Sequence, residues 1–153
     1  MKQHGSRPLA HPEIDALIAR FFSAFSNKGG KIAQLELIFE TCIAEAVIIK
    51  NSGMVPEVFS LDSFVEPRRL LLQNGDLLDF EEYELQSRTQ VLGRIALRTS
   101  LYRKSGQLNG TPFTCRGVKS FQLINTASGW KIGALAWDDE RDGFIVPETL
   151  DGV

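Results

Sequence analysis

An α+β fold, with three helices leading and a curved antiparallel sheet following, is predicted by three observations. Apolar residues recur at three- and four-residue spacing as far as Gln73. After Asp79 they alternate with polar residues at period two. The breaks between the later segments carry Asn-Gly and Ser-Gly chemistry, which suits hairpin turns. Helices grouped before strands, rather than alternating with them, indicate helices packed across one sheet face. A sheet of long strands curls by its own twist, so the helices are expected to close a hollow rather than a flat seam.

The first helix begins at Pro12. Ile14, Leu17, Ile18, Phe21, Phe22 and Phe25 fall on one face, and Glu13 and Asp15 occupy the dipole-favoured first turn. Asn27-Lys28-Gly29-Gly30 ends it, and Ile32, Leu35, Ile38 and Phe39 predict a second, shorter helix. Ala46-Val47-Ile48-Ile49 is a β-branched run stopped by Asn51-Ser52-Gly53 and predicts a strand. Ser60 to Gln73, with Leu61, Phe64, Val65 and Leu70 to Leu72, predicts the third helix. Ser63 and Glu66 form its candidate capping box, and Pro67 is tolerable only near its start. Four strands follow, around Tyr83 to Val91, Ile95 to Leu101, Phe113 to Ile124 and Trp130 to Trp137. Ser105 to Gly110 and Asn125 to Gly129 are the expected turns, and the segment after Asp138 loses periodicity and is expected to wrap the surface as an acidic tail.

At 153 residues the chain suits one domain, read here as 12–138 between an N-terminal extension (1–11) and a C-terminal tail (139–153). With 43% hydrophobic and 24% charged residues it is neither disordered nor fibrous, and no apolar run is long enough for a bilayer. Met1 to Pro8 is charged with no apolar stretch after it, so a secretory leader is not expected and a cytoplasmic location is. Cys42 and Cys115 have no partner at metal-knuckle or redox-pair spacing, and no glycine-rich nucleotide loop occurs. The two histidines, His4 and His11, precede the first helix, which argues against a triad. Neither a cofactor nor a metal site is expected.

The helix pair, then Ile43-Ala44-Glu45-Ala46-Val47-Ile48-Ile49, then Gly129-Trp130-Lys131-Ile132 after a long strand together resemble the NTF2-like superfamily. They look most like its SnoaL-like and DUF4440-type bacterial members. The resemblance spans about residues 12 to 138. It implies a cone-shaped, cystatin-like α+β fold, commonly homodimeric, with a pocket between sheet and helices. Such proteins include cofactor-free isomerases, cyclases and dehydratases as well as transport adaptors and assembly domains, so fold is implied more firmly than function. In members related to ketosteroid isomerase a pocket carboxylate is the base and a tyrosine or protonated carboxyl stabilises the oxyanion.

By that pattern Glu45, the acid near the first strand, is a candidate catalytic base, against its alternative as a solvated turn residue. Tyr83 and Tyr102 are candidate ligand-binding hydroxyls, against packing with the hydroxyl at the rim. Trp137 and Asp138 close the last strand as an aromatic wall and a second candidate catalytic carboxylate. Adjacent residues of a strand point to opposite faces, so at most one of them lines a cavity. Lys119 shares parity with Phe113, Cys115, Phe121 and Leu123, so it either snorkels at an edge or anchors an anionic ligand. Arg98 shares a face with Ala96, Ser100 and Tyr102 and is expected to point outward.

Between Leu85 and Trp137 cations occur at 88, 94, 98, 103, 104, 116, 119 and 131, and no carboxylate does. Contacts of this basic sheet with the acidic tail or a second subunit are expected. Nucleic acid is not, because Tyr102 is the main stacking aromatic among the cations. The leading expectation is thus a homodimer holding a small, largely apolar, acidic or neutral molecule in its cone, with acid–base catalysis as its extension. The rival is a non-catalytic homodimeric interaction module whose sheet face makes the contact. Binding of an anionic polymer along the sheet ranks third.

Overall fold

The structure is a computed structural model and describes residues 10–153. Most of the N-terminal extension, His4 included, lies outside the described residues. The order of elements is α1 (Pro12–Ser23), a one-turn 3-10 helix (Lys28–Gly30), α2 (Glu36–Thr41), β1 (Cys42–Lys50), β2 (Glu57–Phe59) and α3 (Leu61–Gln73). The long strands β3 (Leu77–Leu92), β4 (Ile95–Leu108), β5 (Thr111–Thr126) and β6 (Gly129–Asp139) follow. They form one six-stranded sheet in the order β2-β1-β6-β5-β4-β3.

The helices lie on the concave face, as the helical spacing requires. Ile14, Leu17, Ile18, Phe21 and Phe22 of α1 are buried, and Phe21 meets Phe121 of β5 edge-to-face at 5.7 Å. The sheet differs from the wholly antiparallel one expected. β1 runs parallel to β6, with Ile48 opposite Leu135 and Lys50 opposite Trp137, and the chain from β2 through β5 supplies the long crossover that a parallel pair needs. β1 begins at Cys42, four residues before the β-branched run, and β2 is too short to show a period. The second helix is only Glu36–Thr41, and Ile32 stands in solvent rather than on a helical face.

In α3 the cap is Ser60, not Ser63. Ser60 Oγ accepts from the Ser63 amide at 3.2 Å, and Ser63 Oγ accepts from the Ser60 amide at 2.9 Å, so two hydroxyls do what a Ser–Glu box would. Pro67 sits mid-helix and costs one internal hydrogen bond. Ser105 to Leu108 continue β4, so the turn is only Asn109-Gly110. Both residues have positive φ, 50° and 81°, as a two-residue hairpin on twisted strands demands.

β6 carries a register shift. Leu123 pairs Ile132 while Gln122 pairs Ala134, so Gly133 is an extra residue and Ile132, Leu135 and Trp137 all face the core. Past the bulge the adjacent-residue rule holds: Trp137 is buried inward, and Asp138 is paired with Arg141 outside. The C-terminal segment does wrap the surface, and firmly. Val146 and Leu150 bury against Leu101 on the convex face, while Arg88 and Arg116 donate to carbonyls of residues 146, 147, 150 and 153.

Candidate functional site

Between α1, α3 and the concave sheet the cone encloses a cavity of about 380 Å³. Its walls are apolar, with Phe21, Phe25, Phe64, Phe80, Phe113 and Trp137 among them. Five charged side chains also line it: Lys50, Arg68, Lys104 and Lys119 against a single carboxylate, Glu82. The distribution of partners among these five sets the chemistry.

Lys119 Nζ lies 2.9 Å from Glu82 Oε1, and both side chains are only 7% exposed. The ammonium also stands 4.0 Å from the Tyr102 ring centroid and 5.0 Å from that of Trp137, where the ring quadrupoles favour a cation. Burial lowers the Lys119 pKa, and the Glu82 charge opposes but does not reverse this. Lys104 pairs with Asp139 at 2.9 Å, and the Tyr102 hydroxyl donates to the same carboxylate. Burial works against the Asp139 charge, but Lys104 and Tyr102 outweigh it and hold the carboxyl below its ordinary pKa. The Tyr102 phenol is pushed up, first by burial and then by Asp139.

Arg68 stands apart. Its guanidinium lies 3.7 Å over the Phe64 ring and 5.5 Å from the Trp137 ring, and Nη1 donates to the Phe64 carbonyl at 2.9 Å. Among the described residues no carboxylate is within ion-pairing distance of it. Burial lowers its pKa to about 10, with Glu82 and Glu57 opposing from farther off. Lys50, at the end of β1, likewise has no ion-pair partner among the described residues, although Glu57 sits opposite it across the β1–β2 ladder. The cavity therefore has one internally neutralised pair in Lys119–Glu82, a second in Lys104–Asp139, and two cations, Arg68 and Lys50, without an ion-pair partner among the described residues.

Of the residues expected from sequence, Tyr102, Lys119 and Trp137 converge around this hollow, although Tyr102 packs beneath Lys119 with its hydroxyl tied to Asp139. Tyr83 is 40% exposed on β3 and Glu45 is exposed on β1; neither lines the cavity, and nor does Asp138. Arg98, expected outside, is 3% exposed inside: it bonds Glu84 at 2.5 Å and Asp15 at 2.6 Å, with Thr89 at 3.0 Å. It shares a face with Ala96, Ser100 and Tyr102 as expected, but this face is the buried, concave one. Asp139, expected in a solvated acidic tail, turns inward instead.

Glu82 and Arg68 were missed, although the sequence carried a signal for each. Arg68 falls on the buried stripe of α3, four residues after Phe64 and four before Leu72, where an apolar residue would ordinarily stand. Glu82 lies two residues after buried Phe80 on the inward parity of β3. The basic strands find their acids elsewhere in the chain: Asp15 on α1, Glu82 and Glu84 on β3, Asp139 on β6, and Glu140 and Glu148 beyond it. No helix is long and apolar enough to cross a membrane, and no group of three His, Cys, Asp or Glu side chains is placed to hold a metal, both among the described residues.

No family model matches the sequence, and no curated protein matches it either. Solved structures do. An NTF2-like superfamily protein from Salmonella enterica matches with a TM-score of 0.69 at 15% identity, covering 93% of this chain and 95% of that one. An NTF2-like protein of unknown function from Prochlorococcus marinus matches with a TM-score of 0.66 at 14% identity, over 85% and 92%. A protein provisionally named a Ca/calmodulin-dependent kinase II association domain, from Exiguobacterium sibiricum, matches with a TM-score of 0.66 at 12% identity, over 90% and 98%. The chain thus has the NTF2-like fold, an α+β cone of a curved mixed sheet and few helices.

Proposed function

We propose that this protein binds a small, largely apolar carboxylate in the cone, its acidic group held by Arg68 with Lys50 and its body against the phenylalanines. The observation that carries this reading is Arg68: a cation on an aromatic wall of the cavity, without a carboxylate of its own among the described residues. A half-buried guanidinium pays a desolvation cost that an anionic ligand removes, and its planar fork suits a carboxylate. A cavity of 380 Å³ is of ligand size. The acid–base pair available to catalysis inside it is Glu82 with Lys119, rather than Glu45 or Asp138.

Matched ligands test the reading. 3-Phenylpropionate should quench the fluorescence of Trp137 and bind at least about tenfold tighter than 3-phenylpropanamide, the worth of one charge-assisted hydrogen-bonded contact of about 1.5–3 kcal/mol. Equal affinity for acid and amide, or an Arg68→Met variant that binds the acid as well as the parent, would overturn it.

A second reading, compatible with the first, is self-association through the convex sheet face. Leu92, Ile95 and Leu97 are 67%, 50% and 54% exposed there, and one neighbour in fold is named an association domain.

A further inference from the structure

A primary amine that lines an apolar cavity beside a carboxylate is arranged for more than charge balance. Lys119 Nζ lies 2.9 Å from Glu82 Oε1 and 4.0, 5.0 and 5.8 Å from the rings of Tyr102, Trp137 and Phe22. If the pair served only to neutralise itself, two apolar residues would fill the space at no desolvation cost. The polar groups beyond that pair make no demand on the amine, since the Tyr102 hydroxyl is already bound to Asp139 and Asp139 to Lys104. The same Trp137 ring is shared with Arg68, the cation assigned above to a ligand carboxylate, so an acid held there presents its body along the indole toward Lys119.

We propose that Lys119 forms an iminium with the carbonyl of an apolar oxo acid whose carboxylate sits on Arg68, with Glu82 moving the protons. This rests on the carboxylate-binding reading and deepens it by naming the ligand's second functional group. Glu82 takes one proton from the Lys119 ammonium, freeing the nitrogen lone pair. The amine attacks the carbonyl carbon, a C–N bond forms, and the carbonyl π pair moves to oxygen, which receives the proton back from Glu82. The nitrogen of this carbinolamine then loses a second proton to Glu82, the C–O bond breaks as that proton is delivered to the departing hydroxyl, and water leaves. In sum an ammonium and a carbonyl become an iminium and one water, with charge conserved and no oxidant or reductant consumed.

The setting favours each stage. Burial makes the amine easier to deprotonate, as the lowered pKa of Lys119 indicates. Apolar walls limit the water that would hydrolyse the product, and the rings of Tyr102 and Trp137, which favour a cation at the nitrogen, favour the positively charged iminium over the neutral carbinolamine. Tyr102 is held to Asp139, so proton transfer falls to Glu82.

Reductive trapping on the full-length protein decides the matter, with 4-formylbenzoate and phenylpyruvate as carbonyl probes and 4-methylbenzoate as the acid lacking a carbonyl. With cyanoborohydride, the peptide bearing Lys119 should gain the mass of the probe less one oxygen, with at most one label per chain there. Labelling should be lost in Lys119→Met, and in the Lys119→Met/Glu82→Gln pair, which leaves no unpaired buried carboxylate should the single variant fail to fold. Glu82→Gln should slow trapping at least about tenfold, as loss of a positioned proton carrier does, and Arg68→Met should raise the half-saturating probe concentration by a similar factor. Binding of 4-methylbenzoate without any Lys119 adduct from either probe overturns the covalent step while leaving the carboxylate site standing. Failure of all three to bind overturns both. Labels confined to surface lysines such as Lys28 or Lys131 count against the proposal.

Discussion

Tyr102 shows how closely single residues depend on one another here. It is fully buried, and its ring can reach the Asp139 carboxylate only because position 117 on the neighbouring strand has no side chain. A Cβ on Gly117 would fall well inside contact with the Tyr102 hydroxyl and ring. Gly117→Ala should therefore cost about 2 kcal/mol or more, read as a lower urea midpoint, in the range of overpacked cores; an unchanged midpoint would show that the ring has another place to go. The same pair sets two pH limits. The Asp139 carboxyl is held below its ordinary range, so its contribution is present above about pH 4 and is lost as pH falls through the lowered value. The Tyr102 phenol is raised, so its contribution is present below about pH 10 and is lost as pH climbs past it. Urea midpoints of Asp139→Asn should fall less steeply in acid than those of the parent, and those of Tyr102→Phe less steeply in alkali. Parallel slopes would contradict the assignment.

At the scale of elements, the long periodic segments were legible and the exceptions have identifiable causes. The face of α1 follows from its three-four spacing, because it buries one continuous row, and β3 to β6 follow from period-two alternation, which each keeps between its irregularities. What spacing does not carry is a bulge. One extra residue at Gly133 inverts parity along β6, and a similar shift between Glu84 and Gln86 alters β3, so faces read across either point come out reversed. Polar residues on buried faces were the second difficulty. Arg98 shares the concave face with Ala96, Ser100 and Tyr102, yet a rule that sends arginine to solvent cannot foresee Glu84 and Asp15 converging from β3 and α1. The site was half legible for the same reason: Lys119 and Trp137 stood out by type and parity, whereas Glu82 and Arg68 needed the inward faces of β3 and α3 to be known first. The C-terminal segment, aperiodic in sequence, is fixed by two apolar contacts and by carbonyls, which any residue supplies. Leu150→Ala should thus destabilise the whole domain by about 2 kcal/mol, toward the low end for buried leucine. A loss near zero would mean that the segment only rests on the sheet.

For the whole molecule, the two faces of the sheet differ in chemistry. The concave face closes Lys119 with Glu82, Lys104 with Asp139 and Arg98 with Glu84 and Asp15, whereas the convex face divides into two halves. One half, around Leu101 and Val118, lies under Val146 and Leu150. The other carries Leu92 and Ile95 as a cross-strand pair, Ile124 opposite Ile95 on β5, and Leu97 in phase with them. An apolar row of this kind on a broad twisted sheet is what a second copy related by a two-fold axis would cover, since such an interface uses the same patch twice. A charge at its centre would then be placed opposite itself in the partner and desolvated, which disfavours association strongly. Leu97→Glu lies on a strand face that is already half exposed and so should leave the monomer folded, with its urea midpoint within about 0.5 kcal/mol of the parent. Sedimentation velocity at micromolar concentration should show a dimer for the parent chain and a monomer for Leu97→Glu, while 3-phenylpropionate quenches Trp137 in both, because the cone and the convex row are on opposite sides of the sheet. A parent that sediments only as a monomer would remove the assembly reading, and a variant that loses ligand along with its partner would show that the two faces are coupled.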